Sequence, residues 1–570
     1  MNKKNLILMS VLAMGIVFGG CNPLKKMKDK ASDVKYTVNP PVLELVGNDV
    51  AISVNGSYPA GYFNKNVVMT LTPTLQSGSN ELAFDTYKVQ GENVKENNRV
   101  IKSDGGSFSY ASKVVYKPDF QLSDLMLRAS ASKGTKSLDF DPYKLADGII
   151  TTCLLVEKNG KGTYAADKYV RITPDSYEAD IKYMIQQSDV RASETKKAEI
   201  TAFTDAVKAA AANDRINFTG TLLSAYASPD GPLDLNEKLS NNREKTGLDF
   251  FTKNFKTAKV EDVLKSELLK TVVTPEDWEG FKTLMEASNI ADKQLILRVL
   301  SMYSDPVVRE REIKNISAAF EEIKVKILPE LRRSKMLVNV EIVGLSDAEI
   351  NAQFDRDPSR LKLEEILYAG TLTQDANRKL SIYQAAARYY PNDFRTKNNF
   401  GVALLNLGRT GEAKTALNEA KNIQDNAIVK NNLAVVALRE GNLAAAEELL
   451  NAAGATDDVK FNLGTIAIIQ GKYSEAISHF GNQVEVNAAL AKLLAKQNDA
   501  ALSTLNSVKS DDALVYYLKA IVGARTQNND LLMNNLRTAC SKSADLKANA
   551  KKDVEFGKFF QDNTFRSIVQ

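Results

Sequence analysis

The chain has 570 residues, 44% of them hydrophobic and 25% charged, with a formal net charge of +4. That length holds about three or four domains of ordinary size, and the composition excludes a disordered chain or a polytopic membrane protein. The small net charge excludes the concentrated basic face of a nucleic-acid binder, and the single histidine, His479, leaves no material for multi-histidine metal sites. The chain opens with Met1-Asn2-Lys3-Lys4, a basic stretch, and continues with LILMSVLAMGIVFGG, an apolar run too short for a comfortable membrane span. This is a targeting segment and is set aside from the fold.

The run ends at Phe18-Gly19-Gly20-Cys21. Small residues before a cysteine resemble a bacterial lipobox, although Phe stands where Leu is usual. The resemblance implies a lipoprotein signal peptide over 1–20, cleavage before Cys21 and acylation of that cysteine. Acyl chains then anchor the protein durably, since each buried CH₂ contributes roughly 0.8 kcal/mol. NPLKKMKDKASD reads as a flexible basic tether over 21–35. It lacks the acidic run that surface lipoproteins of Bacteroidetes commonly carry, which implies the periplasmic side of the outer membrane. Cys153 and Cys540 fall in different predicted domains and are expected to be unpaired and buried.

From 36 to 175 the chain alternates polar and apolar residues between Gly, Asn, Asp and Pro punctuation. Val50, Ile52 and Val54 share one face of a strand, and Val67, Met69 and Leu71 share another. Regular short strands predict an antiparallel β-sandwich, with a spacer or docking role. From 176 to 345 strands and helices mix. YEADIKYMIQQ, INFTGTLLSAYA and MLVNVEIVG read as strands; ETKKAEITAFTDAVKAAAAND, PEDWEGFKTLMEAS and DKQLILRVLSMYS read as helices.

Within this α/β segment, ASPDG is followed by Asn236, Leu239-Ser240 and Arg243. This pattern resembles the signature of OmpA-like domains, with the DWEGF helix and ILPELRRS run similar to versions in Bacteroidetes envelope proteins. The family commonly binds the peptide stem of peptidoglycan, an aspartate and an arginine holding diaminopimelate. A guanidinium fork takes a carboxylate bidentately, and a helix N-terminus adds partial positive charge. The resemblance places the arginine at Arg243, but the aspartate position falls on Ser228, with Asp230 two residues on. Ser228, Asp230, Asn236 and Arg243 are therefore the peptidoglycan-binding candidates, against a retained fold with a structural or altered role.

A helical linker over 346–377 leads to an alanine- and leucine-rich helical region over 378–545. Three segments align: NFGVALLNLGRTGEAKTALNEA from Asn399, NLAVVALREGNLAAAEELLNAA from Asn432 and NLGTIAIIQGKYSEAISHF from Asn462, spaced 33 and 30 residues apart. Small residues recur at Gly401, Ala434 and Gly464 and at Ala413, Ala446 and Ala476, with turn glycines Gly408, Gly441 and Gly471. The pattern resembles tetratricopeptide (TPR) repeats, with a half-unit before it, LSIYQAAARYYPND, and two weaker units after it. The resemblance implies an all-α solenoid with a concave groove for polypeptide segments. Lys397 to Asn399 and Lys430 to Asn432 sit where first helices face that groove. Residues 546–570 read as a tail.

The assembled expectation is a multidomain, non-enzymatic, lipid-anchored scaffold at the periplasmic side of the outer membrane, with no cofactor and no metal. Its partners would be envelope proteins, and peptidoglycan through the OmpA-like domain, within an outer-membrane assembly or secretion complex. A simple tether between peptidoglycan and the outer membrane is the alternative. An envelope hydrolase would need paired carboxylates or an activated nucleophile, and no such set stands out.

Overall fold

The computed structural model describes residues 22–570, so the leader and Cys21 lie outside the described residues. The chain divides into two units, one running to Ala165 and resuming at Tyr390–Gln570, the other Ala166–Tyr389. The expected boundaries at 175 and 378 thus shift to 165 and 390. More consequentially, the β-rich region and the helical array belong to one unit.

Eleven strands build the β-rich region: β1 Lys35–Asn39, β2 Val42–Val46, β3 Asp49–Tyr58, β4 Val68–Ser77, β5 Asn80–Ala83, β6 Tyr87–Gly91, β7 Arg99–Ile101, β8 Gly106–Val115, β9 Asp124–Lys133, β10 Lys136–Asp139 and β11 Tyr143–Ile150. Alternation places Val50, Ile52 and Val54 of β3 and Met69 and Leu71 of β4 in one core, with Leu43, Leu125 and Leu127. The strands do not form two facing sheets. One hydrogen-bonded path runs β1-β3-β2-β11-β9-β4-β6-β7, with β8 on β3, β5 on β4 and β10 on β9. β2 is the pivot, antiparallel to β3 and parallel to β11. The expected sandwich is therefore a single sheet curled as a half-barrel. The expected tether is shorter too: Pro23–Asp29 is a helix whose Leu24 and Met27 are buried in the β core.

The second unit holds a four-stranded sheet, with β12 Ile172–Lys182, β13 Ile216–Tyr226, β14 Leu269–Thr274 and β15 Arg333–Val343 in the order β12-β15-β13-β14. Only the β13–β14 pairing is parallel. Helices Ala198–Ala211 and Leu233–Ala258 cover it through Ile200, Phe203, Val207, Phe251 and Phe255. The helices between Trp278 and Leu331 carry a core of their own around Phe281, Met285, Ile296 and Ile323. The helix Ala376–Tyr389, read above as a leading half-repeat, lies in this unit.

The array begins with the pair Phe394–Asn406 and Thr410–Ile423. It continues through Ala427–Arg439 with Leu443–Asn451, Asp457–Ile469 with Tyr473–Phe480, Val486–Leu494 with Asn498–Ser507, and Ala513–Arg525 with Asn529–Lys542. The small first-helix residues permit the close crossing. A Cβ at Gly401 would lie 2.6 Å from Leu417 Cγ, and one at Gly464 2.7 Å from Phe480 Cζ. Tyr473 and Leu494 pack into the β core, joining array and half-barrel.

Residues 546–570 are a packed cap and not a tail. Phe556 and Phe565 are buried against the last repeat, and Tyr517 Oη donates to Asp553 Oδ2 at 2.7 Å. Burial, then the nearby Glu555 carboxylate, pushes the Asp553 carboxyl up to about 6 from 3.8. The folded state therefore keeps this proton to higher pH than the unfolded chain does. Asp553 favours folding below pH 3.8, and that contribution is lost as pH rises to about 6. Relative to Asp553→Asn, the wild type should lose about 2 kcal/mol of stability between pH 4 and pH 7. Denaturant midpoints of the two proteins across that range check this; parallel curves would contradict it.

Candidate functional site: an asparagine ladder

An asparagine stands at the same place on the first helix of four of the pairs: Asn399, Asn432, Asn462 and Asn487. All four side chains are at most 1% exposed. A buried amide needs a partner for its carbonyl and for its NH₂. Here the partner is an extended segment, Val156–Ala165, which leaves the half-barrel through the short 3₁₀ turn Thr152–Leu155.

Each asparagine takes both main-chain groups of one residue. Ala165 N–H donates to Asn399 Oδ1 at 2.7 Å, and Asn399 Nδ2 donates to Ala165 O at 2.9 Å. Thr163 pairs likewise with Asn432 at 2.7 and 2.8 Å, Lys161 with Asn462 at 2.7 and 2.9 Å, and Glu157 with Asn487 at 2.9 and 2.8 Å. Because a main-chain N–H can only donate, the orientation of each amide is fixed by its partner. Residues 161, 163 and 165 alternate as an extended chain requires. At the skipped position, Arg439 Nε donates to Asn159 O at 2.7 Å.

A second row completes the ladder. Asn398 Nδ2 donates to Thr163 O at 3.2 Å, and Asn431 Nδ2 to Lys161 O at 3.1 Å. The rows are cross-linked where Asn432 Nδ2 donates to Asn398 Oδ1 at 2.7 Å and Asn462 Nδ2 to Asn431 Oδ1 at 3.0 Å. Side chains add selectivity. Lys161 pairs with Glu485 and lies 4.6 Å above the Phe461 ring, while Thr163 Oγ1 donates to Asp458 Oδ2 at 2.6 Å. Gly160 and Gly162 lie against the helices: a Cβ there would sit 3.0 Å from Val435 Cγ1 and 3.2 Å from Val402 Cγ1.

The OmpA-type candidates are arranged differently from the family expectation. Arg243 is 1% exposed, and its Nε, Nη1 and Nη2 donate to Gln187 O at 3.0 Å, Tyr226 O at 2.9 Å and Met184 O at 3.4 Å. Its guanidinium lies 5.2 Å from the Tyr183 ring centroid, and burial lowers its pKa to about 10. Ser228 and Asp230 are hydrogen-bonded to each other and gather around Arg332, whose Nε donates to Ser228 Oγ at 3.1 Å and Nη2 to Asp230 Oδ2 at 3.3 Å. Asn236 Nδ2 holds the turn through Gly231 O at 3.0 Å. Beside this turn opens a cavity of about 360 Å³, lined among others by Asp230, Glu276, Glu310 and Lys314. Arg332 was not singled out in the sequence, where it appears only as part of ILPELRRS. The ladder carried a clearer signal, since three of its asparagines begin the aligned repeats. Cys153 and Cys540 are unpaired and buried, and His479 faces Glu475 on a surface helix at 3.6 Å.

Residues 394–426 match the tetratricopeptide repeat family. No curated protein matches the chain in sequence. Among solved structures, a tetratricopeptide repeat protein from Parabacteroides merdae aligns at 13% identity over 39% of this chain and 89% of its own, with a TM-score of 0.29. The APC/C hetero-tetramer Cut9–Hcn1 aligns at 16% over 59% and 74%, with a TM-score of 0.32. PilW, a type IV pilus biogenesis factor, aligns at 14% over 39% and 89%, with a TM-score of 0.22.

Removing one ladder amide leaves a main-chain N–H and C=O without their partner. Asn432→Ala or Asn462→Ala should each cost about 1–3 kcal/mol of unfolding free energy, and should open Lys158 and Lys161 to trypsin. Arg243→Ala should destabilise by about 3 kcal/mol or more, by uncapping three carbonyls in the protein interior. Urea unfolding of the unliganded variants reads both; unchanged midpoints would contradict the assignment.

Proposed function

We propose that the chain is a non-enzymatic, lipid-anchored scaffold of a bacterial cell envelope, facing the periplasm from the outer membrane and recruiting protein through its repeats. The observation that carries the protein-binding part is the ladder, a surface built to hold a polypeptide by its main chain. Tetratricopeptide repeats point the same way, as a protein–protein interaction scaffold. The basic leader, apolar run and Cys21 support the lipid anchor. With Leu24 and Met27 seated in the β core, an acyl group on Cys21 would hold the half-barrel close to the bilayer. Exposed Lys25, Lys26 and Lys30 beside it suit anionic headgroups.

In the same reading the α/β unit is a divergent OmpA-like domain, on the strength of ASPDG with Asn236, Ser240 and Arg243. Wall contact is the point on which the scaffold and the simple tether differ. The Arg243 donors named above are directed to main-chain carbonyls, and the acid at the turn, Asp230, is engaged by Arg332. This geometry favours the scaffold over a wall tether.

Two measurements test the proposal. Cys21→Ser should move the protein from the membrane to the soluble fraction, and crosslinking of the wild type in its native envelope should attach a second protein to the repeats. A protein that stays membrane-bound without Cys21, or that crosslinks only to itself, would overturn it. Sedimentation with purified peptidoglycan that is lost in Asp230→Ala would install the tether reading instead.

A further inference from the structure

Resting on that scaffold reading, we propose that the asparagine ladder is an exchangeable strand-binding site, and that residues 156–165 are its resident pseudo-ligand. The incoming partner is a polypeptide segment with the pattern glycine–cation–small–hydroxyl, extended from the cation onward.

The ladder recognises a main chain before it recognises side chains. Its strongest contacts are to main-chain N–H and C=O groups, which every non-proline residue carries. Any extended chain of the right direction satisfies them, as in strand addition, where the main chain gives affinity and side-chain pockets give specificity. The pockets here are explicit. At position 160 the backbone is left-handed (φ +67°) with Val435 close by, which calls for glycine, and at 162 Val402 stands too close for a large side chain. Between them, Glu485 and the Phe461 ring take a cation at 161, and Asp458 with Asn431 takes a hydroxyl at 163. The strap reads Gly160-Lys161-Gly162-Thr163, which supplies all four.

The strap also has the features of a removable occupant. It lies outside every strand and helix, and its middle residues Glu157, Lys158 and Asn159 are exposed, while Val156 and Ala165 at its ends are buried and Tyr164 Oη accepts from Asn406 Nδ2 at 3.0 Å. Its start is fixed independently of the ladder, because Thr152 Oγ1 donates to Glu555 Oε1 at 2.5 Å and Arg525 Nε to Glu555 Oε2 at 2.9 Å. Undocking 157–165 therefore leaves the half-barrel and the C-terminal cap joined. Because the strap is attached to the chain at both ends, a free segment competes against an effective concentration on the order of millimolar. The groove of the resting protein is closed to weak ligands for that reason.

The test uses the full chain and a fluorescein-labelled synthetic peptide of sequence VEKNGKGTYA, followed by fluorescence anisotropy. Gly160→Val with Gly162→Val ejects the strap in cis without touching the ladder; Lys161→Glu, which sets a like charge against Glu485, is the milder second variant. Either should bind the peptide at least tenfold more tightly than wild type. Adding Asn432→Ala and Asn462→Ala should abolish binding, and a peptide with valine at both glycine positions should not bind. The proposal is overturned if strap-ejected protein that retains its helical circular dichroism fails to bind the peptide, or if binding is indifferent to the asparagines. Failure here with intact crosslinking of a partner in the envelope would leave the scaffold reading standing on another surface.

Discussion

The first half of the architecture rests on the pairing of one carboxamide with both polar groups of one extended residue. An asparagine offers an acceptor and a donor at the spacing of a peptide's N–H and C=O, so it can complete a strand as a neighbouring strand would. Four helix pairs repeat that offer along the groove, through Asn399, Asn432, Asn462 and Asn487. Ten residues of irregular chain thereby cross the array with about half of their main-chain groups paired to it or to the turn before it. The same pairing explains why the β-rich region and a helical array more than 220 residues downstream form a single unit.

The consequence for function is a choice between a brace and a binding surface, and the geometry supports both in sequence. While the strap is seated, a network of amides links Asn399, Asn398, Asn432, Asn431 and Asn462, and the strap covers the face that they line. Once the strap is displaced, the same amides face a groove in which they hydrogen-bond to water or to another chain. The half-barrel and cap are held together by Thr152, Glu555 and Arg525 on the far side of the turn.

Much of this was legible in the sequence, for identifiable reasons. Helix pairs announce themselves through small residues that permit close crossing, and Gly401, Ala434 and Gly464 stand where the helices cross. Alternation correctly gave the buried faces of β3 and β4. It could not give neighbours, since period-two patterning says which side of a strand is buried and not which strand lies beside it. The parallel pairing of β2 with β11 turned an expected sandwich into a half-barrel for this reason. β14 went unread because LKTVVT, one of the sheet's two edge strands, has no buried residue to mark a face. The strap was silent, because VEKNGKGTYA has neither period. Its partners were nevertheless visible, as the asparagines that open three aligned repeats. At Arg243 the residue type pointed to an anion, but burial decided otherwise: three carbonyls of the chain occupy the fork.

Residues 157–165 are held by their main chain in the ladder. Amide hydrogen exchange resolved to single residues tests it most directly. The account predicts an alternating pattern, with the amides of Glu157, Lys161, Thr163 and Ala165 protected and those of Lys158, Gly160 and Gly162 exchanging faster. Uniformly rapid exchange across the segment, at the rate of an unstructured loop, would contradict it.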